Sequence, residues 1–482
     1  MEFSPSLILP LYPPLESRPS EEEIARLPVR MNHKLCCHTE TSSKILDDWK
    51  ISTHLYPAAY PRSVEGSTTG YGEMSFPVDQ LKDKNPNVIA EKLTEANRKV
   101  KRFKSYDEMM EIKQPQLFIS VSRYYRKKAL PLSKKPRCGH ALTPVLVHGI
   151  LLHKEVWETT LGRLLNSPAA DSIEEVWSLD LVQHGDSALL NKDKLGQISD
   201  WNDSARDILQ FILSYLPESS QSADELPMVL PRLEVSDPNL LQLDYAVPKK
   251  LSNADSIKGL WRSRKVSLWG HSYGTALATL SITSLPQIFH SATLIEPVVM
   301  PFSKERLPRE EALTIFVASK MPEWKSRESA AKILSKCGKN NPFCTWHPLG
   351  IQNFVNFGMV TNSFDEKGVE EKYNRIFVAS PTTDASVRSI SCYERLVKMR
   401  NPPMCEKSQY MPQLHIILAD SRASLILDKN LKEYIIKLKP DSQTNRLKDV
   451  SHSVIASHPL ELGEEIVKKI TELSDQTISA RL

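Results

Sequence analysis

Gly270-His271-Ser272-Tyr273-Gly274 is the segment of this chain best suited to chemistry. The pattern Gly-x-Ser-x-Gly follows the apolar run Val266–Trp269 and precedes an alanine-rich stretch, Thr275–Ile282. Strand, sharp turn and helix in that order force the serine into a strained backbone. Glycines two before and two after leave room for it. The hydroxyl then stands at the carboxyl end of a strand, where the dipole of the following helix favours negative charge. A serine so placed can attack an acyl carbonyl if a base and an oxyanion site lie nearby.

Two histidines near the C-terminus could supply the base, His452 in Val450-Ser451-His452-Ser453-Val454 and His458 in Ser457-His458-Pro459-Leu460. His452 follows the last strand-like region and precedes a helix, so its loop can lean over Ser272. His458 stands before a proline at a helix's first turn, where a capping or surface role suits it better.

The acid that orients the base has two candidates. Asp420, in Leu418-Ala419-Asp420, ends the strand after which such an acid commonly sits, although the usual pattern puts it one residue later, at Ser421. Glu296, in Leu294-Ile295-Glu296-Pro297, ends the preceding strand, one helix and one strand beyond Ser272. An acid closing an apolar buried strand is costly without a partner, which favours Glu296 and leaves Asp420 as the alternative.

Val147-His148-Gly149-Ile150 closes an earlier apolar run. The backbone N–H groups of Ile150 and Tyr273 are the expected oxyanion donors. His148, at a strand end before glycine, reads as a structural histidine that holds the turn. Asp180–Ser187 reads as scaffold beneath the pocket. His33, Cys36, Cys37 and His38 are too closely spaced to act as four tetrahedral ligands, and no second pair accompanies them. No metal and no organic cofactor is implied.

The elements that must position these residues begin at residue 142. Apolar runs at 142–147, 175–181, 265–270, 291–297 and 414–420 alternate with helical stretches, the signature of buried parallel strands covered on both faces. A helix is expected over 201–216, ending before Pro217, and another over 326–337. Upstream, Trp49–Tyr56 alternates like an edge strand, 117–121 reads as a further strand, and 86–112 has helical spacing. Residues 1–42 show neither period and are expected to form a loosely held arm.

The chain has 482 residues, of which 62 are basic and 58 acidic. That balance names no nucleic-acid partner. Seven scattered cysteines and the absence of a basic-flanked leader favour a reducing compartment. No apolar run is long enough for a membrane span. The last three residues, Ala480-Arg481-Leu482, form a small–basic–leucine tripeptide of the kind read by the peroxisomal import receptor.

The runs HKEVW (153–157), QHGDSALL (183–190), DWNDSARDIL (200–209), WGHSYG (269–274) and TLIEPVV (293–299) resemble the fungal peroxisomal lipases. They are also similar to related fungal hydrolases of toxin biosynthesis. The resemblance is strong over about 140–300 and weak around His452. It implies an α/β-hydrolase fold, a serine nucleophile, acyl-ester substrates and a peroxisomal address, with Ser272, Glu296 and His452 at the matching positions. Tyr273 stands where methionine is commoner, and the insertion at 217–262 is long.

Four segments are expected: the arm 1–42, a first core part 43–300 that contains the 217–262 insertion, a cap 301–408, and a last core part 409–482. The insertion is expected to narrow or cover the pocket. The expected reaction is hydrolysis of carboxylic esters. An acyl-CoA thioesterase, a tailoring hydrolase of secondary metabolism and a catalytically silent ligand-binding relative are the alternatives. Arg262, Arg264 and Lys265 at the pocket mouth would favour the thioesterase, because coenzyme A carries phosphates.

Overall fold

Eight strands make one sheet in the computed structural model of the protein. It describes residues 11, 16–28, 33–64, 66–69, 108, 110–128, 141–196, 199–218, 225–233, 264–299, 323–324, 326–337, 346–361, 369–371, 412–420, 432–433, 435 and 442–479. In chain order the strands are β1 (Trp49–Pro57), β2 (Phe118–Arg126), β3 (Leu142–Val147), β4 (Glu175–Leu179), β5 (Lys265–His271), β6 (Ser291–Ile295), β7 (Gln413–Asp420) and β8 (Gln443–Lys448). Their spatial order is β8-β7-β6-β5-β3-β4-β2-β1. β2 pairs antiparallel with both neighbours, and every other pairing is parallel. From β3 the chain steps to β4 on one side and returns to β5 on the other. The carboxyl ends of β3 and β5 therefore flank the crevice where such sheets bind ligands.

Both faces of the sheet are covered, as the apolar runs require. Among the described helices are α1 (Glu158–Leu165), α2 (Trp201–Ser214), α3 (Tyr273–Ser284), α4 (Pro348–Phe357) and α5 (Pro459–Ser479). Strand side chains alternate between two layers. Val145, Leu268, Leu294 and Ile416 pack with α2 and α3, while Leu146, Trp269, Ile295 and Ile417 pack with α1 and α5. All residues of β3, β4 and β6 are buried. α2 starts where Asp200 caps it, its carboxylate accepting the Asn202 N–H at 2.7 Å.

Trp49–Pro57 is the edge strand its alternation predicts. The helix expected over 86–112 lies largely outside the described residues.

One expectation needs correction. Within 1–42, Glu21–Ala25 is a helix closed by a capping box between Ser20 and Glu23, and Cys36–His38 pairs with Ser43–Ile45. Leu35 and Cys37 join the core beside α1. A capping box and a three-residue strand are too short to show a period, which is why the arm reading missed them. The described part of the 217–262 insertion extends the sheet edge at β1. Leu55 of β1 donates to the Met228 carbonyl at 2.7 Å and accepts from Leu230 at 2.9 Å. The rest of that insertion lies outside the described residues.

Candidate active site

Ser272 sits between β5 and α3 with φ 50° and ψ −118°, a conformation that disfavours any residue with a Cβ. The turn is tight enough that a Cβ on Gly270 would overlap the Gly274 carbonyl, and one on Gly274 would overlap the Val147 carbonyl. Glycine is required at both places. The Ser272 N–H donates to Ile295 O at 3.0 Å. Thr275 Oγ donates to Ser272 O at 2.5 Å and accepts from Val298 N at 2.9 Å, tying the elbow to the segment after Glu296.

His452 meets both expected partners. Its Nε2 lies 2.7 Å from Ser272 Oγ, and its Nδ1 lies 3.1 Å from Glu296 Oε2. An ionised carboxylate only accepts, so Nδ1 carries the proton and Nε2 offers its lone pair to the serine hydroxyl. Glu296 is fully enclosed (1% exposed), and its other oxygen accepts the Ala419 N–H at 2.5 Å. Its backbone has φ 50°, which turns the side chain across the end of β7.

Asp420 ends β7 but its side chain is 47% exposed and faces Lys432 Nζ at 3.6 Å. The structure brings Glu296, and not Asp420, to the imidazole. His458 Nδ1 pairs instead with Ser457 Oγ at 2.8 Å.

Ile150 lies partly buried on the loop after β3, and Tyr273 is the first residue of α3. Gly149, the residue before Ile150, packs beside the Ser272 side chain. The loop is held from behind by neutral histidines. His148 Nδ1 donates to Gly149 O at 2.7 Å, and its Nε2 accepts from Leu181 N at 3.3 Å. His184 Nε2 accepts from Leu151 N at 3.2 Å, where Leu151 has φ 62°. Burial pushes both imidazoles below their ordinary value, His184 well below it. A neutral ring keeps the lone pair that these bonds need.

Under the loop, Lys154 Nζ is enclosed by Asp180 at 2.8 Å, Asp186 at 2.5 Å and Glu155 at 3.0 Å. Asp180 also accepts the Lys154 N–H at 2.8 Å. The 180–187 segment thus holds the loop after β3 in place. Sequence reasoning missed Lys154, Thr275 and His271 as parts of this site. The available signal was a polar residue inside or beside a buried strand, which must find a partner.

The described part of 301–408 reaches the same region. His347 N donates to Ala456 O at 3.0 Å, and Asn353 of α4 donates to Glu155 O at 2.7 Å. Gly350 packs directly on the Ala456 backbone. α4 therefore rests on the segment that follows His452 and on the residue that follows Lys154.

The basic pocket mouth is a misplacement. Arg264 is 6% exposed and bonds to Pro217 O at 2.6 Å and Glu175 at 2.7 Å. Lys265 is half-buried and begins β5, whereas Ser272 follows its end. Seven residues of strand put roughly 20 Å between them. Arg262 lies outside the described residues, as do Ala480, Arg481 and Leu482. His33, of the cysteine–histidine cluster, bonds Glu158 at 2.8 Å. Among the described residues no His, Cys, Asp or Glu group is placed to hold a metal ion. None of their helices is long and apolar enough to cross a membrane.

An eight-stranded sheet with a strained serine turn, a histidine loop and a buried acid defines a hydrolase of the α/β class. The chain belongs to the alpha/beta hydrolase family, whose model matches residues 145–464. It is similar to a peroxisomal membrane protein of Saccharomyces cerevisiae, at 30% identity over 169 residues, 35% of this chain and 33% of that protein. It is also similar to a type I acyl-CoA thioesterase of Penicillium brevicompactum, at 32% identity over 92 residues, 19% of this chain and 21% of that enzyme. The matched segments thus span a third or less of these curated relatives. The solved structure of a peroxisomal alpha-beta-hydrolase from Saccharomyces cerevisiae shares the fold, with TM-score 0.57 and 18% identity, over 89% of this chain and 90% of that one.

Proposed function

We propose that this protein is a serine hydrolase of carboxylic acyl esters, with Ser272 as nucleophile, His452 as general base and Glu296 as its orienting acid. The observation that carries the reading is the unbroken relay of 2.7 Å from Ser272 Oγ to His452 Nε2 and 3.1 Å from His452 Nδ1 to Glu296.

In this mechanism His452 takes the hydroxyl proton as Ser272 Oγ bonds to the acyl carbon. The backbone N–H groups of Ile150 and Tyr273 hold the oxyanion, each worth about 3–4 kcal/mol in comparable sites. His452 then protonates the leaving oxygen, and the alcohol departs. Water, deprotonated by the same imidazole, attacks the acyl-serine and releases the acid. Glu296 keeps the Nδ1 proton in place and balances the imidazolium charge. α4, on the segment after His452, supports a role for 301–408 as a cap over the site.

A second reading replaces the ester with an acyl-CoA thioester, and the similarity to the Penicillium thioesterase favours it. The same relay serves a thiol leaving group. Purified protein should be assayed with p-nitrophenyl esters and with acyl-CoA of matched chain length. Turnover of esters at a kcat/KM above that of the thioesters supports the first reading. The reverse order supports the second.

The proposed compartment is the peroxisome, supported by Ala480-Arg481-Leu482 and by the yeast relative's name. A fluorescent fusion ending at Leu482 should form puncta, and deleting Leu482 should disperse them. Puncta that survive the deletion would remove the tripeptide from the proposal.

A further inference from the structure

His271 precedes the nucleophile, ends β5 and is 2% exposed. Its Nε2 lies 2.9 Å from the backbone carbonyl oxygen of His452. A carbonyl only accepts, so this nitrogen carries the proton of the ring and Nδ1 keeps a lone pair. Nδ1 is buried and has no hydrogen-bond partner among the described residues. It faces Gly149 of the oxyanion loop, where an added Cβ would stand 2.8 Å from Nδ1 and 3.3 Å from Ser272 Cβ. One imidazole therefore touches all three parts of the site: it adjoins the nucleophile, bonds the base's backbone and packs on the oxyanion loop.

We propose that His271 is a positioning residue that sets the His452 loop at its working distance from Ser272, through one hydrogen bond to the backbone carbonyl of the base. The inference rests on the serine-hydrolase reading above. The loop needs such a strut because it starts from Asp449, whose φ of 59° is a strained conformation that surrounding contacts must maintain. It also carries the base on a single imidazole, and a displacement near 1 Å costs about 100-fold in rate.

Burial, followed by the adjacent His452, pushes the His271 ring down to about 3. The strut stays neutral while His452 cycles through its charged form, so no second cation opposes the imidazolium. The unfilled Nδ1 fits the same arrangement: a glycine hydrogen can approach it, and a bulkier residue at 149 would push the ring off the His452 carbonyl.

His271→Gln and His271→Met separate this role from mere packing. The two side chains match in length and differ in the terminal donor. With full-length protein, fluorophosphonate labelling and hydrolysis of p-nitrophenyl butyrate should both be slowed roughly 10- to 100-fold by Met, through kcat with KM within about twofold. The Gln variant should recover to within about threefold of the parent. Equal rates for Met and Gln, whether fast or slow, would overturn the proposal.

A measurement on the parent protein stands apart from any variant's folding: nitrogen-15 histidine NMR should show His271 with its proton on Nε2. A proton on Nδ1 would overturn the proposal as well. A parent protein that does not label at all defeats the hydrolase reading and this inference with it. Normal parent labelling with no Met–Gln difference defeats only the inference.

Discussion

The two ends of the central sheet are built on opposite principles. At the carboxyl ends of the strands lie all four described non-glycine residues with positive φ, Leu151, Ser272, Glu296 and Asp449. At the amino ends, Arg264, Glu175 and Arg123 form a buried ion-pair chain, with Arg264 and Arg123 each 2.7 Å from Glu175. No described residue there adopts a strained backbone. Strain gathers around Ser272 and the segments that hold its partners, and satisfied charge is kept where the sheet must stay together. The amino end over-determines the fold, which lets the carboxyl end hold conformations that cost energy.

Substitutions at the two ends should therefore fail in different ways. The largest effect belongs to the acid: Glu296→Gln should lower kcat by about 10⁴-fold, as loss of an orienting acid does elsewhere, with little change in melting temperature. Asp420→Asn, its exposed neighbour, should leave turnover near the parent value. A collapse in Asp420→Asn alone would move the acid to β7.

Next comes Arg264→Met at the other end, which leaves Glu175 with one fewer buried partner. It should cost about 3–5 kcal/mol in denaturant unfolding while the folded fraction keeps its kcat. A large loss of kcat per folded molecule would mean that the two ends are coupled.

The third test is pH. Burial drives both His271, at the site end, and His415, at the amino end, down to about 3 from an ordinary value of 6.5. Below 6.5 the unfolded chain binds protons that the folded rings refuse, so stability present above pH 6.5 is lost as pH falls towards 3. Each ring contributes at most about 1.4 kcal/mol per pH unit. His415→Leu should flatten that acid limb in thermal melts and leave turnover at neutral pH unchanged.

The smallest effect is at the rim. Asp449→Gly relieves a left-handed residue and should raise stability by about 1 kcal/mol or less. A loss of stability there would mean that the Asp449 side chain supports the loop.

Much of this was legible in the sequence, for identifiable reasons. β3 through β7 are apolar runs bounded by turns, and burial on both faces is what such runs encode. Ser272 announces itself because the elbow needs glycine at two fixed spacings. Glu296 was readable as a carboxylate with no reason to end an apolar strand unless something paired it.

What stayed hidden depends on contacts between distant segments. His271 reaches His452 across 181 residues, and His184 reaches Leu151 across 33. No spacing rule carries that information. Arg264 and Lys265 were misjudged for the same reason, since charge alone does not say at which end of a strand a residue lies. The N-terminal arm was misread because its helix is signalled by Ser20 and Glu23 rather than by a period.

The most direct measurement is reaction of purified full-length protein with a fluorophosphonate probe, beside Ser272→Ala and His452→Ala. Labelling that vanishes in the first variant and slows by several orders of magnitude in the second is the predicted result. Labelling that persists in Ser272→Ala, or its absence in folded parent protein, would contradict the assignment of Ser272 as an activated nucleophile.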